Sequence, residues 1–81
     1  MHALIDGVLI DLDRAVVAMD GTRWLWNRDI TESGNFLMAR LDGPSPILPL
    51  PIVLRGHGPI VPDRQPTTAA MYRQALLAEA A

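Results

Sequence analysis

The sequence contains no cysteine and no lysine, and its 81 residues include only two histidines and two serines. Without cysteine there is no disulfide bond and no thiolate metal ligand, which often support very small domains. A domain of this length buries only about 60 to 65 per cent of the surface that its unfolded chain exposes. We therefore expect oligomerisation or a partner to be its leading source of additional stability.

Arginine provides all of the basic side chains, seven in number, and the net charge is −2. The arginines are spread from Arg14 to Arg73 and do not cluster as an anion-binding site would require. Their use in place of lysine is typical of a GC-rich coding genome. The charge asymmetry along the chain is too small to predict a nucleic-acid partner.

Long apolar runs are also absent, although 49% of the residues are hydrophobic. This content is too high for a disordered chain, and no run is long enough to span a membrane. No basic region precedes Ala3 to Ile10, and Asp6 interrupts that apolar stretch, so the sequence does not predict a signal peptide there. We expect one soluble, cytoplasmic domain with no membrane contact.

No set of residues predicts catalysis, a cofactor or a metal site. The start of the chain is similar to the phosphatases of the haloacid dehalogenase type, but the position of their nucleophilic carboxylate is occupied by Leu4. Asp11 and Asp13 begin a calcium-loop pattern whose later oxygen ligands are missing. His57 lies between two glycines, which predicts a turn residue. The alternative is a functional role, either as a partner contact or in a pH response.

Asp-Gly pairs between β-prone runs predict hairpins in the first half of the chain. A two-residue turn at Asp20-Gly21 would pair Val17 with Trp24 and would place Trp24 and Trp26 on one face. At Asp6-Gly7 the chain could fold back as a hairpin, or Gly7 could be a bulge in one longer strand. The third pair is Asp42-Gly43.

The strand predicted at Asn35 to Leu41 is apolar on both faces, which favours a central position in the sheet. After it, seven prolines fall between Pro44 and Pro66 and predict an extended segment against the sheet or its edge. Within that segment, Leu50 to Leu54 could form one helical turn or an edge strand.

A helix is predicted at the end of the chain, capped by Thr67 or Thr68 and running to about Ala80. Its apolar stripe would comprise Met71, Tyr72, Ala75 and Leu76. The predicted fold class is therefore α+β, a single domain with an antiparallel sheet of three to five strands. Residues 1–43 would form a β-meander, 44–66 the proline-rich extended segment and 67–81 the C-terminal helix.

Two tryptophans interleaved with arginines provide the candidate partner-binding surface. Trp24 and Trp26 could build the core, or they could anchor a protein partner, because Trp and Arg are enriched at binding hot spots. The candidate residues, including the apolar side of the helix, are Arg23, Trp24, Leu25, Trp26, Arg28, Met71, Tyr72 and Leu76.

Residues 20–63 resemble a group of small proteins from bacteriophages of GC-rich actinobacteria. The shared features are the hairpin motif Asp20-Gly21-Thr22-Arg23-Trp24, the Leu50-Pro51 stretch and the segment Gly58-Pro59-Ile60-Val61-Pro62. These short motifs cover about half of the chain. The proteins of this group are mostly of unassigned function, and some are expected to act as accessory factors that modify a host protein. The resemblance therefore implies a phage context and not an activity.

Three functional hypotheses follow from these observations. The first is a non-enzymatic protein-interaction module, such as a phage accessory protein that binds a host or phage protein. The second is a structural, self-assembling protein, either a homo-oligomer or a minor virion component. The third and weakest is a nucleic-acid-binding protein, whose affinity would fall steeply with salt.

Overall fold

The computed structural model describes residues 1–42 and 47–77, and they form an α+β domain. A five-stranded antiparallel sheet has the order β6-β5-β4-β3-β7, and β1 and β2 form a separate two-stranded sheet. The elements are, in chain order, β1 (His2–Ile5), β2 (Val8–Asp11), β3 (Val16–Ala18), β4 (Arg23–Ile30), β5 (Phe36–Arg40), β6 (Leu48–Pro49), α1 (Leu50–His57), β7 (Ile60–Pro62) and α2 (Ala69–Leu77). The predicted fold class is confirmed.

The first Asp-Gly pair forms a hairpin, which is the first of the two predicted alternatives. Asp6 and Gly7 have φ values of 50° and 80°, so both lie in the left-handed region that a type I′ turn requires. The turn pairs Ile5 with Val8 and Leu4 with Leu9. This hairpin does not continue into the larger sheet, so the described part of the predicted meander, residues 1–42, is not one continuous meander.

The predicted register of the β3–β4 hairpin is wrong by one residue. Val16, rather than Val17, lies opposite Trp24. The N–H of Ala18 donates to the carbonyl oxygen of Thr22, so the loop between these two residues has three residues, and Gly21 closes it at a φ of 89°, as in a turn followed by a bulge. Because side chains alternate along a strand, the shift brings Val16 and not Val17 onto the face of Trp24, where Val16 is fully buried.

Both faces of the five-stranded sheet are covered. The N-terminal hairpin and α1 pack on the face that carries Trp24, Trp26 and Met38. Helix α2 packs on the opposite face, where Ala75 meets Leu25 and Ala39. Strand β5 lies between β4 and β6 and contributes to both cores, which confirms its predicted central position.

The prediction that the proline-rich segment is extended is wrong for Leu50–His57, which form the eight-residue helix α1. Of the two alternatives predicted for Leu50 to Leu54, the helical turn is the one found, and α1 continues for three more residues. Pro51 lies in its first turn, where a backbone N–H would have no helical acceptor, so proline is tolerated there. Leu50 and Val53 then face the core. Beyond the helix, β7 pairs with β3 at an edge of the sheet, a position at which Pro62 removes no essential donor.

Helix α2 begins after Thr68, one of the two predicted caps, whose Oγ1 accepts a hydrogen bond of 3.2 Å from the N–H of Met71. Ala75 is buried, and Met71 and Tyr72 are half-buried. Leu76 is 55% exposed, so it does not pack on the sheet with the other residues of the predicted apolar stripe. Gly43 and the predicted continuation of the helix over 78–81 lie outside the described residues.

Candidate functional site

An open groove of about 260 Å³ lies between the N-terminal hairpin, the start of β5 and α1. We call it the hairpin groove. Small-molecule sites commonly enclose about 300 to 1,000 Å³, so this groove is small and suits a short segment better than a large ligand. Its lining residues are Ala3, Leu4, Ile5, Asp6, Gly34, Asn35, Phe36, Leu50, Pro51 and Leu54.

The floor of the hairpin groove is fixed by the core beneath it. Phe36 packs edge-on against Trp26, with ring centroids 5.3 Å apart and planes at 86°. Leu50 is buried with the same cluster, and Leu54 is partly buried against it. These apolar side chains are therefore held in place before any partner arrives.

One wall of the groove is the free edge of β1, because Ala3 to Asp6 line the groove consecutively while β1 pairs only with β2. The N–H of Leu12 donates to the carbonyl oxygen of Met1 at 2.7 Å, so these two residues form a hydrogen-bonded pair. Bonded and non-bonded pairs alternate in an antiparallel ladder. Ala3 and Ile5 therefore direct their backbone groups toward β2.

By the same alternation, His2 and Leu4 direct their backbone N–H and C=O groups away from β2. Within residues 1–42 and 47–77, no other strand pairs with this edge. An edge of unpaired backbone groups is a template for a further strand. Leu4, which lines the groove, thus presents a donor and an acceptor there, and His2 presents a second pair two residues away along the same edge.

Exposed apolar side chains extend from the groove over the outer face of the hairpin. Leu4 and Leu9 lie directly opposite one another and are 73% and 65% exposed. Val8, which is paired with Ile5 on the other face next to the turn, is also exposed. Apolar side chains that adjoin a groove in this way are typical of interaction surfaces.

Asp6 is the one ionisable residue among those that line the groove. Its carboxylate belongs to the turn of the hairpin and is exposed to solvent. The groove therefore combines an apolar floor, an unpaired strand edge and a single negative charge at one end.

The predicted partner-binding residues are not brought together on one surface. Trp24 and Leu25 are fully buried, and Trp26 is only 8% exposed. Each indole N–H has an internal acceptor, Thr22 Oγ1 for Trp24 and the carbonyl oxygen of Asp29 for Trp26, both at 2.8 Å. The two tryptophans therefore belong to the core of the folded chain.

Arg23 is held inside the fold by Asp63. Its Nε and a terminal guanidinium nitrogen lie 2.7 and 2.6 Å from Asp63 Oδ2. Burial raises the pKa of Asp63, but the hydrogen bond from the N–H of Gln65 and the charge of Arg23 outweigh it, and the pKa lies below its usual value. This pair ties β4 to the connection between β7 and α2.

Arg28 is similarly engaged, 2.6 Å from Asp13 and over the rings of Trp26 and Tyr72 at 5.4 and 5.9 Å. Met71 and Tyr72 are half-buried on the sheet face opposite the groove, and Leu76 is exposed on α2. A partner role for the accessible residues among these stays a prediction.

Among the described residues, His57 and Asp20 form the arrangement that most resembles an acid–base pair. The Nδ1 atom of His57 lies 2.6 Å from Asp20 Oδ2, and the His57 ring packs 5.1 Å from that of Trp24. Hydrogen bonds from the Thr22 hydroxyl, from His57 and from the Thr22 N–H lower the pKa of Asp20 to about 2. In the part of the chain that the structure describes, no nucleophile bonds to His57, and the pair joins the end of α1 to the β3–β4 turn.

Two further findings concern metal and membrane. The described residues contain no group of three or more side chains placed to hold a metal ion. Among them, no helix has the length and apolar character needed to cross a membrane.

Comparison of the chain with protein-family models, curated proteins and solved structures finds no match.

Proposed function

We propose that the chain is a non-enzymatic protein-interaction module that binds its partner at the hairpin groove. The observation that carries the proposal is the unpaired edge of β1 beside an apolar groove. An edge of this kind provides backbone hydrogen bonds, and the adjoining groove provides apolar contact area. A protein partner can use both at once.

The composition of the groove favours a protein over a substrate. A reaction site needs ionisable or nucleophilic groups at mutual hydrogen-bond distance, whereas Asp6 is alone among the lining residues in being ionisable. A nucleic acid would require several accessible cations at the binding surface, and none of the residues that line the groove is cationic. The partner we propose is a host or phage protein, a context that rests on the resemblance of residues 20–63.

A charge placed in the groove tests this function. Pro51 lines the groove and is exposed, and it lies in the first turn of α1, where glutamate is compatible with a helix. Pro51→Glu is expected to weaken partner binding about tenfold or more, because the carboxylate would be desolvated against an apolar partner. Ile52→Glu is the matched control, since Ile52 is the next residue and is exposed outside the groove.

The partner is first recovered from an actinobacterial lysate by photo-crosslinking at position 54, then purified. Its dissociation constant for the whole chain and for both variants is measured by calorimetry. Selective weakening by Pro51→Glu supports the function. If both variants bind like the wild type, or if no crosslinked protein binds after purification, the proposal is wrong.

Self-assembly is the second candidate, and one observation favours it. Leu76 and Leu77 are adjacent on α2 and more than half exposed, at 55% and 58%. Two such leucines could pack against the same helix of another copy. Sedimentation equilibrium at high concentration distinguishes the candidates, since a strict monomer contradicts self-assembly and leaves the groove as the proposed interface.

A further inference from the structure

We infer that the groove takes an extended peptide segment of the partner, which pairs with β1 as a third strand of the N-terminal sheet. This inference rests on the proposed function and specifies how the partner is held. Strand addition to an open edge is a recurrent mode of peptide recognition, in which main-chain hydrogen bonds give affinity and alternate side chains give specificity.

The backbone geometry sets the first requirement on the peptide. His2 and Leu4 carry the outward groups and are two residues apart, a spacing of about 6.6 to 6.8 Å along a strand. An added antiparallel strand presents complementary groups at the same interval. Up to four hydrogen bonds can form, two with each of these residues, without breaking any bond within the hairpin.

Side-chain alternation sets the second requirement. Directly paired residues of an antiparallel sheet point to the same face. Ala3 and Ile5 face the core side of the hairpin, where Ile5 is buried. Peptide residues opposite these two would therefore point toward the apolar walls formed by Phe36, Leu50 and Leu54, so both should be apolar.

Charge sets the third requirement. Asp6 follows Ile5 at the turn end of the groove, and no cation is among the lining residues. A lysine or arginine of the peptide close to this end would find an opposite charge within reach. The expected ligand is thus an extended sequence with two apolar residues separated by one position and a basic residue beside them.

A second copy of β1 fits these requirements less well. Two β1 strands paired about a two-fold axis would place Ala3 opposite Ala3 of the other copy when His2 faces Leu4, and opposite Ile5 when Leu4 faces Leu4. In the first register a methyl group would fill little of a groove of about 260 Å³, and in either register β1 has no lysine or arginine to place beside Asp6. A partner peptide with larger apolar side chains uses the available space better.

Proline at position 4 tests strand addition selectively. Leu4→Pro removes an N–H that points away from β2, and proline is compatible with an outward position on an edge strand. Leu4→Ala, which also removes the side chain that lines the groove but keeps the N–H, serves as the reference at the same position. Leu9→Pro is the matched control, because Leu9 faces Leu4, is similarly exposed and directs its N–H to the opposite edge of the same hairpin. Circular dichroism verifies that all three variants are folded.

The probe is a peptide selected with the immobilised full chain from a yeast-displayed library of random peptides of about eight residues, the length of a strand. Its dissociation constant is measured by fluorescence anisotropy. We expect enrichment of alternating apolar residues with a Lys or Arg. Leu4→Pro should weaken binding about tenfold or more, and Leu9→Pro less than about twofold.

Failure of this inference is distinguishable from failure of the proposed function. If Pro51→Glu weakens partner binding while Leu4→Pro does not, the groove binds its partner without strand addition. If selection enriches no peptide, or if peptides bind the Leu4→Pro variant as they bind the wild type, strand addition is wrong. If the wild type dimerises and Leu4→Pro abolishes dimerisation, a second copy occupies the edge instead.

Discussion

Trp24→Ala is expected to remove a large part of the stability of the fold, lowering the free energy of unfolding by about 3 to 5 kcal/mol. Trp24 is fully buried at the centre of the larger core, and its indole N–H donates to the buried Thr22. Truncation leaves a large cavity and an unpaired hydroxyl acceptor. Domains of this size are stable by only about 4 to 12 kcal/mol, so a large part of the margin would be lost.

Urea denaturation followed by circular dichroism measures this effect. Leu76→Ala is the control, because Leu76 is 55% exposed and its truncation should change stability by less than about 0.5 kcal/mol. A loss below about 1 kcal/mol for Trp24→Ala would show that Trp24 is not in the core.

The second large effect is expected for Asp63→Ala, which should cost about 2 to 3 kcal/mol. The side chain of Asp63 is 9% exposed and that of Arg23 is 27% exposed, so the variant leaves a largely buried guanidinium without its carboxylate. Because Arg23 retains some contact with water, we expect a value below the full cost of breaking a buried pair.

Acid sensitivity provides a second measurement on Asp63. The pKa of this carboxyl is lowered by folding, so its contribution is present above about pH 4 and is lost as the pH falls through the folded value. The free energy of unfolding of the Asp63→Ala variant should therefore fall less steeply with decreasing pH than that of the wild type. Asp42→Ala, which breaks the more exposed pair with Arg40, should cost less than about 1 kcal/mol at pH 7. Equal losses in the two variants would contradict the assigned role of Asp63.

Local patterns were sufficient to predict much of the fold. The Asp6-Gly7 and Asp20-Gly21 turns, the central strand β5 and the Thr68 cap each depend on a few neighbouring residues, and the structure has all of them. The register of the β3–β4 hairpin was not predictable in this way, because two-residue and three-residue loops can both use Asp-Gly. The loop length alone decides which face Val16 occupies.

Helix α1 and the candidate site depend on distant contacts. Proline density predicts extended structure, but Pro51 at the start of a helix costs nothing, and the burial of Leu50 and Val53 stabilises the helix. The hairpin groove joins residues 3–6 and 34–36 with Leu50, Pro51 and Leu54, a combination that no local pattern contains.

One sequence signal for the groove does exist. A two-stranded hairpin can bury only one face, so the apolar residues Leu4 and Leu9 cannot be buried together with Ile5 and Ile10. The sequence predicted a binding surface at the two tryptophans as an alternative to a core, because Trp is common both in cores and in interfaces. Trp24 and Trp26 are buried, so within this chain they belong to the core.

Amide hydrogen exchange along β1, measured by NMR with and without the bound partner, tests the central claim most directly. In the free chain, the Leu4 amide should exchange much faster than the Ile5 amide, because only the latter is bonded to β2. Partner binding should slow exchange at Leu4 and leave Leu9 unchanged. A Leu4 amide that is already protected in the free chain, or that exchanges equally fast in the complex, would contradict an open edge that receives the partner's strand.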